Sequence, residues 1–209
     1  SLEPGLFSHM AAGANARGFS VALPGYRLCP EVALPDVIED VRAACLFLWR
    51  RFGRRIVACG HSAGGHLAAA MAATDWNRLA PDAPADLLRR GLGISGIYDL
   101  APLLATSVNQ SLHLDAATAM AVSPAFWPVP SGVHFEAWFG AAEASEYGRQ
   151  SRLLAERWAA AGAHTRCEPI PGTNHFTAPN PLADPGSAAT QALLRLCQAE
   201  RQAQAAGRP

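Results

Sequence analysis

Apolar positions along the chain switch repeatedly between the short continuous runs of buried strands and the three-and-four spacing of helices. Residues 19–23 (FSVAL) read as a first strand, and Pro24-Gly25 turns the chain after it. From Asp36 onward, Val37, Val41, Cys45 and Leu48 recur at helical spacing as far as Arg51, with Asp36 placed to cap that helix. Residues 55–59 (RIVAC) predict a second strand, 65–73 an alanine-rich helix, 91–95 a third strand and 133–139 a fourth. Helical periodicity returns over 147–161 and stops before Gly162. A fifth strand follows at 165–170, and Asp184-Pro185 reads as the N-cap and first position of a last helix ending near Arg201. Apolar strands alternating with helices predict an α/β fold, a mostly parallel sheet with helices on both faces.

The segment 98–130 fits neither period and holds Pro102, Pro124, Pro128 and Pro130 around a helical stretch near 115–122. Long excursions of this kind in α/β proteins sit over the carboxyl ends of the strands, where ligands bind. We expect a lid or pocket wall there, within a single domain spanning 1–209.

Composition narrows the function class. Half of the residues are hydrophobic and 16% charged, which excludes disorder and coiled coil. Seventeen basic and seventeen acidic residues cancel, with no basic run to follow a phosphate backbone, so no nucleic-acid partner is expected. The longest apolar run, 67–73, falls far short of the roughly 20 residues of a membrane helix. No membrane partner and no secretion signal are expected. Five cysteines, odd in number and without a CxxC pair, argue against a disulfide framework or a zinc site. They read as reduced thiols of a cytoplasmic protein that needs no metal or organic cofactor.

The chemistry centres on Gly60-His61-Ser62-Ala63-Gly64, a G-x-S-x-G motif between a predicted strand and a predicted helix. In that setting the turn is so tight that Gly60 and Gly64 are expected to need the missing Cβ, and Ser62 is pushed out at the strand end. The alternative is a glycine-rich turn with a serine cap. A serine hydroxyl needs a base, and the base an orienting carboxylate, in the chain order serine, acid, histidine. His175, in the loop Gly172-Thr173-Asn174-His175-Phe176 after the last strand, is the expected base; His66, His113, His134 and His164 are less well placed. Glu143, nearest the end of the fourth strand, is the expected acid, ahead of Glu146 and Asp99. The backbone N–H of Ala63 would supply one oxyanion donor.

These residues carry a family resemblance. Gly60 to Ala68 (GHSAGGHLA), the segment Tyr26 to Glu31, the run Tyr98-Asp99-Leu100 to Asn109, Ser123-Pro124 and Asn174-His175-Phe176 together resemble the kynurenine formamidase (arylformamidase) and esterase-lipase branch of the α/β-hydrolases, over nearly the whole chain. The resemblance implies the α/β-hydrolase fold. It also implies Ser62 as nucleophile, Glu143 as acid, His175 as base, and hydrolysis of N-formylkynurenine in tryptophan breakdown through an acyl-enzyme. The family's acid is often Asp, so Glu143 is a mild departure. Members also carry an HGGYW-like motif on an upstream strand, whereas this sequence begins just after it. Without that strand the strands at Val21 and Ile56 have no neighbour between them, so an N-terminal extension with about three further strands and the second oxyanion donor is expected.

The alternatives are a general carboxylesterase of the hormone-sensitive-lipase type and a catalytically impaired hydrolase scaffold. Phe126, Trp127 and Trp138 could stack on an aryl substrate, although ordinary core packing is the more economical reading. Beyond a small-molecule substrate, a second copy in a homodimer is the one partner that domains of this kind suggest, and no pattern here marks an interface.

Overall fold

In the computed structural model, which describes residues 4–206, four strands pair in parallel in chain order. They are β1 Val57–His61, β2 Arg90–Ile94, β3 His134–Gly140 and β4 His164–Ile170. Val57 lies opposite Arg90, Arg90 opposite His134, and His134 opposite His164, so the strand starts are level. β3 and β4, at 7 residues each, therefore outrun the 5-residue β1 and β2 at the carboxyl end. That overhang puts the loops after β3 and β4 beside the end of β1.

Period-two alternation divides the core between the two faces. Phe135 and Ala137 of β3 join one buried cluster with the helix Ala63–Ala72 and Trp158 of the helix Ser145–Ala160. Leu92, Ile94 and Trp138 join the other, under Ala189, Ala192, Leu193 and Leu196 of the helix Ala188–Ala206. Gly91 and Gly93 keep β2 bare where large rings need the room: a Cβ on Gly91 would meet the Phe135 ring at 2.8 Å, and one on Gly93 the Tyr98 hydroxyl at 2.3 Å. A parallel sheet with both faces covered is what the apolar strands predicted.

Three local expectations are corrected. Residues 19–23 form no strand: Val21 and Leu23 remain 40% and 42% exposed, and among the described residues no strand lies on the outer side of β1. An apolar run marks a face to be covered, but a strand also needs a neighbour to take its backbone hydrogen bonds. Asp36 sits within the first turn of the helix Leu34–Phe52, two residues after its start, and its carboxylate accepts the N–H of Ala33 at 3.0 Å. Asp184 closes a local turn by accepting the Gly186 N–H, while Ser187 caps the last helix by accepting the Thr190 N–H at 3.1 Å.

The segment 98–130 holds only short helical pieces, among them Ala116–Ala121 with Asp115 as its cap. It is pinned to its neighbours at several points. Gln150 accepts the N–H groups of Tyr98 and Asp99, the Trp158 indole donates to the Pro124 carbonyl, and His66 bonds the Val122 carbonyl at 2.8 Å. His66 is buried and held neutral by that burial.

Candidate active site

The turn between β1 and the following helix is built from backbone contacts that leave no space for a side chain at Gly60 and little at Gly65. A Cβ on Gly60 would stand 2.2 Å from the Gly64 carbonyl oxygen, and one on Gly65 would stand 3.0 Å from the Gly96 Cα. Gly64, expected to be equally constrained, has open space around its Cβ position; it is the backbone of Gly64 that crosses Gly60. Replacing Gly60 by Ala is therefore expected to lower stability by about 3 kcal/mol or more, because backbone must move to relieve the overlap. Gly64→Ala should cost far less, and urea unfolding of the two variants makes the comparison.

This turn holds Ser62 at φ 55° and ψ −118°, a conformation that a non-glycine residue occupies only under strain of about 1–3 kcal/mol. The strain is held by the Ser62 N–H donating to Ile94 at 2.9 Å and the Ser62 carbonyl accepting from His66 at 3.1 Å. Ala63 is the first residue of the helix, so its N–H has no partner within it.

The two loops that follow β3 and β4 are locked together. Ala142 N–H donates to the Thr173 carbonyl at 2.9 Å, and a Cβ on Gly140 would meet that same oxygen at 2.6 Å. Asn174 accepts from the N–H groups of Phe176 and Thr177, which folds the turn tightly around His175. As a result Glu143 and His175 face each other, although 32 positions separate them in the chain. The His175 Nδ1 lies 2.8 Å from Glu143 Oε1, and its Nε2 lies 3.1 Å from Ser62 Oγ. A carboxylate only accepts, so Nδ1 carries the proton and Nε2 presents its lone pair to the serine hydroxyl.

Glu143 is fixed at three points. Its Oε2 accepts the Ser95 hydroxyl at 2.9 Å and the Gly140 N–H at 2.8 Å, its Oε1 faces His175, and its side chain is only 1% exposed. The other two acid candidates are engaged elsewhere. Glu146 pairs with Arg149 at 2.7 Å, Asp99 lies 3.4 Å from the same guanidinium, and the Arg149 side chain holds the Glu146 carboxyl below its ordinary pKa.

Ser95 escaped the sequence reading because nothing local marks it. It is fully buried, has φ 52°, and is tied back by its N–H to the Trp138 carbonyl at 2.7 Å. Its position after β2 is the only signal that could have found it. Ser95→Ala removes one of the donors that orient Glu143, and kcat/KM should fall about tenfold with little change in KM. An unchanged kcat/KM in Ser95→Ala would contradict the orienting role.

Aromatic groups surround the imidazole. Tyr147 stacks on His175 with ring centroids 4.5 Å apart, Phe176 meets it edge-on at 5.8 Å, and the Phe176 ring is 85% exposed. Of the three aromatics weighed between substrate stacking and core packing, Trp138 is a core residue, Phe126 lies under the Arg157 guanidinium, and the Trp127 indole donates to the Ala121 carbonyl. His61 lies 4.7 Å from His175 ring to ring; burial and the neighbouring His175 push it down to about 4, so it is neutral.

Comparison with known proteins bears on this arrangement. Residues 5–120, more than half of the chain, match the family described as alpha/beta hydrolase fold. The chain belongs to that family. Its similarity within the α/β-hydrolases runs to the formamidase and esterase branch. A kynurenine formamidase from Danio rerio is 28% identical over 189 residues, covering 86% of this chain and 63% of that protein. One from Salmo salar is 29% identical over 196 residues, covering 90% and 65%. The chain thus spans just under two thirds of these relatives. A crystal structure of a proposed thioesterase from Silicibacter sp. superimposes with a TM-score of 0.83 at 32% identity, covering 93% of this chain and 71% of that one. No strand precedes β1 among the described residues. No helix among those residues is long and apolar enough to cross a membrane.

Proposed function

We propose that this α/β-hydrolase is a serine hydrolase of small formamides and esters, with an aryl formamide such as N-formylkynurenine as its preferred substrate. The hydrogen-bonded chain Ser62–His175–Glu143 carries the reading. Ser62 Oγ attacks the formyl carbon while His175 Nε2 takes its proton, and Glu143 steadies the imidazolium that forms. The Ala63 N–H faces the charge that develops on the carbonyl oxygen. His175 then passes the proton to the leaving arylamine, which departs and leaves a formyl ester on Ser62. Water, deprotonated by the same imidazole, cleaves that ester to formate.

Two observations favour the aryl formamide over other acyl compounds: the curated relatives named above are kynurenine formamidases, and the exposed Phe176 ring stands beside the base. The segment 98–130 is proposed as a wall of the substrate pocket. A cytoplasmic setting goes with this reading, since all five cysteines are free. The test is a comparison of kcat/KM for N-formylkynurenine and p-nitrophenyl acetate. At least about a tenfold preference for the formamide is expected. The opposite preference would assign a carboxylesterase, and no turnover of either would favour an impaired scaffold.

A further inference from the structure

His61 has no part in the proton transfers just described, yet it stands against the base. Its Nε2 is buried and has no hydrogen-bond partner among the described residues, an unusual state for a polar atom. One ring nitrogen of His61, one of His175 and a carboxylate oxygen of Glu143 lie within 4.8 Å of one another. The three side chains come from the end of β1, the loop after β4 and the loop after β3, so the strand ends converge on one point. Two imidazoles and one carboxylate are a common donor set for zinc at an open site, with bonds of about 2.0–2.2 Å. Tetrahedral bonds of that length put donors about 3.4 Å apart, so the His175 Nδ1–Glu143 Oε1 pair, now 2.8 Å apart, opens slightly while His61 moves in. Rotation of the His61 ring supplies the movement; it breaks no hydrogen bond at Nε2 and gives up only the contact of the ring with the His175 backbone.

We propose that His61, His175 and Glu143 form an inhibitory site for a transition-metal dication, with Zn2+ as the representative ion. The inhibitory sign rests on the serine-hydrolase reading and follows from the chemistry of imidazole. A neutral ring has one lone pair and one N–H. A cation at Nε2 takes the lone pair that would accept the Ser62 proton. A cation at Nδ1 moves the ring proton to Nε2, which then has no lone pair to offer. Either way the serine loses its base; at Nδ1, which faces Glu143 Oε1, the cation takes the carboxylate as well, and His61 supplies the extra ligand that makes the pair a site.

Binding is measured on the full-length Ser62→Ala protein, which has no turnover, by competition for Zn2+ with a chromophoric chelator. One ion per chain is expected, and His61→Phe in the same background should weaken binding at least about tenfold. His61→Gln serves if the phenylalanine variant fails to fold. His134 and His164, whose rings stand 5.9 Å apart on the sheet, are the competing histidine pair, so His134→Ala should leave the affinity unchanged. Zn2+ should inhibit the wild-type enzyme over the same concentrations, and EDTA should restore it. Undiminished binding in both His61 variants, a loss that follows His134→Ala, or a rise in turnover with Zn2+ overturns the proposal. Absence of hydrolysis in the wild type would count against the serine-hydrolase reading alone, because the chelator measurement still decides the site.

Discussion

Ser62→Ala is expected to lower kcat roughly a million-fold, to the level left by binding and oxyanion contacts alone. The expectation is so large because the mutation removes the attacking atom, and no other hydroxyl is hydrogen-bonded to His175 among the described residues. The fold should survive. Ser62 Oγ makes a single 3.1 Å contact, and both backbone bonds that hold the strained turn are kept by alanine, so stability should change by no more than about 0.5 kcal/mol. A thermal melt alongside steady-state kinetics measures both quantities. A large fall in melting temperature would mean that lost activity reports unfolding and says nothing of the nucleophile.

Glu143→Gln should cost roughly 1,000- to 10,000-fold in kcat, by analogy with the loss of the orienting acid in other triads. The carboxylate accepts from Ser95, Gly140 and His175 at once, and an amide can accept at only one of its two positions. If the amide nitrogen faces Ser95 and Gly140, the Gly140 N–H is left unpaired in a buried site; if it faces His175, the ring flips to the wrong tautomer. A stability loss of about 1–3 kcal/mol accompanies either arrangement. Glu146→Gln, which loosens the surface Arg149 pair and one Gln150 hydrogen bond without touching Ser62 or His175, should leave kcat within a few-fold. Kinetics on the two glutamine variants make the comparison, and the reverse ranking would move the acid to Glu146.

The readable part of the site consists of residues whose type and place in the strand–helix order are enough to identify them. Ser62 follows β1 in a glycine-framed turn, Glu143 follows β3 and His175 follows β4, and the parallel register brings those three ends together. Ser95, Tyr147 and His61 act through contacts that arise only when separate strand ends meet, and one-dimensional periodicity carries no trace of such contacts. The opposite error occurred at 19–23, where an apolar run looked like a strand but has no hydrogen-bonding neighbour among the described residues. The caps were misplaced for a similar reason. Asp36 and Asp184 are good capping residues, but which backbone N–H each one meets depends on where the helix starts, and that start is set by packing.

The most direct test of Ser62 as an activated nucleophile is covalent labelling. The protein is exposed to a fluorophosphonate probe, weighed intact, and digested for peptide mapping. A single adduct on Ser62, lost in His175→Ala, is the predicted result. An unlabelled protein, or an adduct on any other residue, would contradict the account.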